Sequence, residues 1–344
     1  MSLEKETEKF LLERGAIKVG LASREALAGG PPSADLDYSL AGARTAVSFA
    51  LPFDRDKIRA FLSKRDRLPH EQDNLKTNMR VTSLSWELAR FLEERGFPSR
   101  GTSANLNYRK EMPDWELQMH PKISHRYVAV AAGVGSFGWS GNVGLAGYGA
   151  AVILGTCLTS AALEPTAPIP ERDSFCDRCK LCAEACPVGM FERDRETPVS
   201  LGGSVYAHAA RKTYLLCQIC CGGFTGLHRS GKWSSWSPGR FALPADEGEL
   251  LGELMRAMAQ YGQRPRMSEG YVNPAFQGAN LNMTCGNCQI VCWGDRKETA
   301  RNLKLLHGSG CVLQGPDGTM RVLPGVEAAM VFEEMPAAHR SLYR

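Results

Sequence analysis

Charge of one sign is in short supply in this chain. Lys and Arg number 41 against 37 Asp and Glu, a net charge of +4 over 344 residues, so the strongly basic surface that nucleic acid demands is not expected. The opening MSLEKETEKF has no apolar h-region and no twin arginine, which predicts a cytoplasmic protein. Long hydrophobic runs are lacking too. The stretch without charge or histidine, Tyr127 to Leu163, holds eight glycines (133, 135, 138, 141, 144, 147, 149 and 155) and is interrupted by Ser, Thr and Asn. Glycine costs about 1 kcal/mol against alanine in an exposed helix, so the stretch reads as buried core and tight turns around a bound group, with no membrane span. Internal repeats and low-complexity segments are absent. A hydrophobic content of 43% over 344 residues excludes disorder and a small disulfide scaffold, and allows one large domain or two ordinary ones.

Residues 1–165 read as a mixed α/β domain. Glu4 to Arg14 is an amphipathic helix ended at Gly15, Ile17 to Ala22 suits a strand, and Thr45 to Leu51 a second strand closed by Pro52. From Asn74 to Arg95, Leu75, Met79, Val81, Leu84, Leu88, Phe91 and Leu92 fall at helical spacing, with Gly96 as the C′ glycine. Ala162 to Pro170, with three prolines, reads as a linker. Residues 171–300 hold ten of the twelve cysteines and an amphipathic helix near 247–261. A tail over 301–344 carries the turn Gly315-Pro316-Asp317-Gly318, a hairpin and a short acidic helix.

Twelve cysteines in a reducing compartment point to metal. Cys176-x2-Cys179-x2-Cys182-x3-Cys186-Pro187 has the spacing with which a ferredoxin loop wraps three thiolates around one [4Fe–4S] cluster and sends the fourth to another. Zinc sites usually come as two separated pairs. Cys285-x2-Cys288-x3-Cys292 supplies the last three members of a second such motif. The expected sets are therefore Cys176, Cys179, Cys182 and Cys292 for one cluster. The other takes Cys186, Cys285, Cys288 and one of Cys217, Cys220 and Cys221, with Cys217 preferred. Cys157 and Cys311 stand alone and read as small core residues.

This split arrangement resembles the superfamily of epoxyqueuosine reductases and reductive dehalogenases. The resemblance extends to Gly42-Ala43-Arg44-Thr45-Ala46-Val47, to Phe91-Leu92-Glu93-Glu94-Arg95-Gly96-Phe97, and to Val130 through Gly138 with Asn142 nearby. Leu154-Gly155-Thr156-Cys157-Leu158-Thr159 continues it into the cysteine module. It implies an α+β fold: a nitroreductase-like α/β cobalamin-binding domain followed by a two-cluster ferredoxin-like module. It also implies a base-off cobalamin beside the clusters, an external electron donor of ferredoxin or flavodoxin type, and a reductive reaction (cleavage or deoxygenation) on a small-molecule substrate. A tRNA epoxyqueuosine reductase is one alternative; an electron-transfer or corrinoid-activating protein without its own substrate is another. Against the tRNA enzymes, Ser136 stands where a tryptophan is common, Trp293 follows Cys292 where a proline is usual, and 52 residues follow Cys292, too few for a helical-repeat tail.

Gly133-Val134-Gly135-Ser136-Phe137-Gly138 matches G-x-G-x-x-G after an expected strand over Tyr127 to Ala131. A poor helix follows, and the first acid is Glu164, so a dinucleotide fold is disfavoured. Gly133, Gly135, Gly138, Gly141 and Asn142 are instead expected at the face of the corrin. Tyr127, His125 and Arg126 are the candidate proton donors and anion clamp, with a solvated loop as the bland account. His208 and His228 flank the middle cysteines but are not needed as ligands. The Trp233-to-Arg240 turn reads as a wall beside a cluster, and Met255 and Met258 as helix core.

Overall fold

The computed structural model describes residues 1–103, 108–115, 119–244, 246–265 and 284–344. Helix α1 (Leu3–Leu12) is amphipathic, with the chain reversing at Gly15. Strands β1 (Lys18–Ser23) and β2 (Thr45–Pro52) follow, then α2 (Arg55–Leu62), whose first turn is capped by the Asp54 carboxylate accepting from the Asp56 and Lys57 amides. The long helix α3 (Leu68–Glu93) leads through Gly96 to the short β3 (Ser99–Gly101). Helix α4 (His125–Ala131), the small hairpin of β4 (Ser136–Phe137) and β5 (Val143–Gly144), and β6 (Val152–Thr159) complete this half.

The sheet has the order β1-β2-β6-β3 and is antiparallel throughout. Helix α3 lies against β6 and β3, while α4 touches β1, β2 and β6. Burial on both sides explains why β2 and β6 are almost wholly apolar. Phe49 pairs across the sheet with Gly155, where an added Cβ would come within 2.2 Å of the phenyl ring.

The strand expected over Tyr127 to Ala131 is a helix. Ser124 caps it by accepting from the Tyr127 amide and is itself held by the Ser33 carbonyl at 2.8 Å. Val128 to Ala131 are buried on every side, and a short, uniformly apolar run carries no period by which helix and strand differ. On α3, Val81, Leu84, Leu88 and Leu92 face the core, but Leu75 and Met79 are exposed, because a single buried stripe suffices on a surface helix.

The cysteine-rich half holds helices α5 (Leu181–Glu184) and α6 (Leu215–Cys221), with the long hairpin of β7 (Phe191–Leu201) and β8 (Ser204–Arg211) between them. Next come α7 (Leu250–Tyr261), α8 (Asn287–Ile290) and α9 (Arg296–His307). On α7, Leu250, Leu254 and Ala257 are buried, whereas Met255, expected in the core, is exposed, as is Leu251. The tail forms the hairpin of β9 (Cys311–Gln314) and β10 (Met320–Leu323) and helix α10 (Gly325–Glu334). It is stitched into the cysteine-rich half: the Ser234 amide donates to the Gly310 carbonyl at 3.1 Å and the Arg240 amide to that of Tyr343 at 2.7 Å. Among the described residues no helix is long and apolar enough to cross a membrane.

Candidate functional site

The first motif wraps because its backbone is unusual. Arg178 and Lys180, the residues on either side of Cys179, have φ of 57° and 62°, a left-handed conformation that side chains adopt at local cost. Cys182 then sits on α5 and Cys288 on α8, and these two short helices touch. That contact brings the two motifs together.

Cys179 and Cys182 both lie within electrostatic reach of Cys292, and Cys176 reaches Cys182 and Cys292. Cys186 reaches Cys217 and Cys285, and Cys288 reaches those three and also Cys182. The chain thus gathers two adjacent groups of thiols, each mixing the two motifs. Cys157 and Cys311 are buried among core residues.

Six cysteines (186, 217, 220, 221, 285 and 288) open onto one cavity of about 930 Å³, at the upper end of small-molecule sites. Its other walls come from both halves of the chain, the first contributing Val143, Val152, Ile153 and Leu154. Among the described residues no group of three or more His, Cys, Asp or Glu side chains could hold a metal ion. A cubane asks for something else, one thiolate per iron corner around a volume. Its eight atoms would leave most of this cavity for a second group.

The thiols are desolvated. Burial pushes Cys182 and Cys186 up to about 12 and Cys179 to about 11. Cys285 is held well below the usual thiol range by hydrogen bonds from Cys220 and Cys221, and those two are correspondingly raised. Cys217 and Cys221 sit one helical turn apart on α6, with Sγ atoms 3.7 Å from each other. Hydrogen bonds also reach the sulfurs: the Trp139 amide donates to Cys176 Sγ at 3.3 Å, the Met190 amide to Cys186 Sγ at 3.4 Å, and Asn142 Nδ2 to Cys288 Sγ at 3.7 Å.

His125, Arg126 and Tyr127 all line the large cavity. His125 has Nδ1 on Thr156 Oγ1 at 2.8 Å and Nε2 facing the Ser103 carbonyl at 3.5 Å, and burial lowers its pKa to about 4. Arg126 Nη1 donates to the Gly141 carbonyl at 2.8 Å. The glycines are placed differently from expectation. Asn142 lines the large cavity but Gly133, Gly135, Gly138 and Gly141 do not, and Gly135 and Gly138 line a separate cavity of about 260 Å³ beside Cys176.

An added Cβ at these glycines would strike protein. At Gly133 it would meet the Ala167 carbonyl at 2.2 Å, at Gly138 the Phe175 ring at 2.9 Å, and at Gly141 the Arg211 guanidinium at 2.7 Å. A Cβ added at Gly149 would likewise lie 2.3 Å from the Gly294 amide nitrogen. The segment is bare because the linker and the cysteine-rich half dock on it. The Trp233 turn is equally internal: Trp233 and Trp236 are buried, and Trp236 Nε1 donates to the Phe61 carbonyl at 3.0 Å.

Sequence reasoning missed His70, Arg211 and Tyr214, which line the same cavity. His70 stands edge-on to Phe53 and Phe61, and burial takes its pKa to about 4. Arg211 Nη2 donates to the Ser140 carbonyl at 2.6 Å. Arg211 and Tyr214 lie just ahead of Cys217, and that adjacency was the available signal. His70 had none.

The fold and site thus define a mixed α/β chain whose two thiol groups lie beside a cavity shared by both halves. No family model matches it, and no curated protein does. Among solved structures it is similar to the epoxyqueuosine reductase from Streptococcus thermophilus, at 17% identity over 59% of this chain and 56% of that one, with a TM-score of 0.39. It is also similar to the epoxyqueuosine reductase from Bacillus subtilis, at 15% identity over 99% and 88% with a TM-score of 0.43. A reductive dehalogenase described with a mechanism for B12-dependent dehalogenation matches at 15% identity over 70% of this chain and 32% of that one, with a TM-score of 0.44. The chain spans about half the length of the first of these, 56%.

Proposed function

We propose that this chain is an iron–sulfur reductase that acts on a small-molecule substrate in the large cavity. The observation that carries the reading is that three thiols of the two motifs, the three of α6 and the His125–Tyr127 turn share that one volume. Cys176, Cys179, Cys182 and Cys292 would hold one [4Fe–4S] cluster; Cys186, Cys217, Cys285 and Cys288 would hold the other, leaving Cys220 and Cys221 as thiols beside it. The donor set fits, because the cavity supplies more sulfur ligands than a cubane requires. When bound, the clusters would supply one-electron transfer from an external ferredoxin- or flavodoxin-type donor, and the cobalamin that the resemblance implies would supply a low-valent cobalt able to reduce the substrate.

The chain's own part is position, dryness and protons. Val143, Val152, Ile153 and Leu154 form an apolar wall, which keeps water from a strong reductant. Asn142 and the Trp139 and Met190 amides donate to thiol sulfurs, which in a cluster raises the reduction potential. His125, with both ring nitrogens engaged and its pKa low, stays neutral and anchors α4. Tyr127, on the same turn, is then the better placed proton donor.

Anaerobic reconstitution with iron, sulfide and cobalamin tests the reading. The expected product has about eight irons and one cobalt per chain and an absorption spectrum of base-off cobalamin. An iron count near four, stoichiometric zinc, or flavin uptake in place of cobalamin would contradict it.

A further inference from the structure

Two arginines far apart in sequence meet on one turn of the glycine segment. Arg211 Nη2 is held by the Ser140 carbonyl and Arg126 Nη1 by that of Gly141. The carbonyls are consecutive, so the guanidinium groups are neighbours. Both side chains line the large cavity. Burial and the nearby Arg211 act together to lower the pKa of Arg126.

Among the described residues neither arginine has a carboxylate within ion-pair distance. The two carboxylates that line the same cavity, Glu71 and Glu192, already hold Arg67 at 2.7 Å and Arg195 at 3.3 Å. Arg211 Nε is buried with no hydrogen-bond partner. Two like charges held together in a desolvated wall, one of them with an orphaned donor, are costly unless a ligand supplies the missing charge. Guanidinium forks match planar or tetrahedral oxyanions bidentately. Tyr108, Tyr127 and Tyr214 ring the same space and bring hydroxyl groups.

We infer that Arg126 and Arg211 form an oxyanion site, and that the substrate of this cavity carries a carboxylate or phosphate group which they bind. That the anion belongs to a substrate rests on the reductase reading; the anion site rests on the arginines alone. The same geometry gives Gly141 its reason, since only a residue without Cβ leaves room for the Arg211 guanidinium on the neighbouring carbonyl.

The test is calorimetric titration of the reconstituted, anaerobic protein with inorganic phosphate and with acetate, at fixed ionic strength in chloride. The expected result is saturable binding of at least one of them, weakened tenfold or more in Arg126→Gln and in Arg211→Gln and retained in Arg195→Gln. Phosphate binding alone supports a phosphorylated substrate, acetate binding alone a carboxylate. Arg126→Lys keeps the charge and loses the fork, so it should fall between wild type and Arg126→Gln and guards against misfolding. Absence of saturable binding of both anions overturns the inference. So does an Arg211→Gln variant whose cluster potential shifts while its anion affinity stays, which would assign the cation to the thiolates near Cys217. Iron and cobalt counts are read on the same samples, so failure of the reductase reading is seen separately from failure of the anion site.

Discussion

Gly141→Ala, compared with Gly147→Ala, separates backbone strain from the docking of the cysteine-rich half. Both glycines are left-handed, with φ of 73° and 75°. A Cβ at Gly147 meets nothing within 4 Å, whereas at Gly141 it comes 2.7 Å from Arg211 Nη2 and 3.1 Å from His208 Cγ. The strain common to both is about 1–2 kcal/mol. At Gly141 the guanidinium must also leave the Ser140 carbonyl, a charged hydrogen bond of about 1.5–3 kcal/mol. With roughly 2 °C per kcal/mol for a chain of this size, Gly147→Ala should lower Tm by about 2–4 °C and Gly141→Ala by about 5–10 °C. Differential scanning calorimetry on samples of equal iron content gives the comparison. Equal drops for the two variants would refute the docking argument.

Asn142→Leu removes the donor to Cys288 Sγ. Taking one hydrogen bond to a cluster sulfur as about 1.4 kcal/mol, the potential of that cluster should fall by about 60 mV at unchanged iron content; an EPR-monitored redox titration with no shift would remove Asn142 from the site. His70 and His125 are both held to about 4 in the folded chain, below the unfolded value of about 6.5. The unfolded chain therefore binds more protons between those limits, and stability falls as pH drops from 6.5 toward 4, by about 1.4 kcal/mol per pH unit for each histidine. Tm measured at pH 7 and 5.5 should show a smaller pH loss in His70→Gln than in wild type; an identical loss would mean His70 is not held neutral. Cys217→Ala should deplete iron while Cys220→Ala and Cys221→Ala retain it, and iron loss confined to Cys220→Ala or Cys221→Ala would move the ligand along α6.

Local signals carried much of the first half of the chain. Gly15 and Gly96 end their helices where expected, and β1 and β2 lie within a residue of the apolar runs that announced them. The cysteine spacing was legible for the same reason, because a motif of eleven residues is a local geometric object. What sequence did not yield depends on distant contacts. The glycines of 133–149 looked like a bed for a flat ligand, but the surface pressed against them is Ala167, Phe175, Arg211 and Gly294, residues whose proximity only the fold decides. The apolar run at 127–131 had no period to distinguish helix from strand, and the Ser124 cap decided it. His70 and Arg211 entered the cavity from elements with no motif of their own.

Under the crossed ligation proposed here, Cys292 would serve the cluster of the first motif from 110 positions beyond Cys182. The direct test is Mössbauer and EPR spectroscopy of reconstituted Cys292→Ala, set beside Cys179→Ala and Cys285→Ala. The account predicts that Cys292→Ala and Cys179→Ala lose the same cluster signal and about half the iron, while Cys285→Ala loses the other. A Cys292→Ala spectrum that matches Cys285→Ala, with the first-motif signal intact, would contradict it.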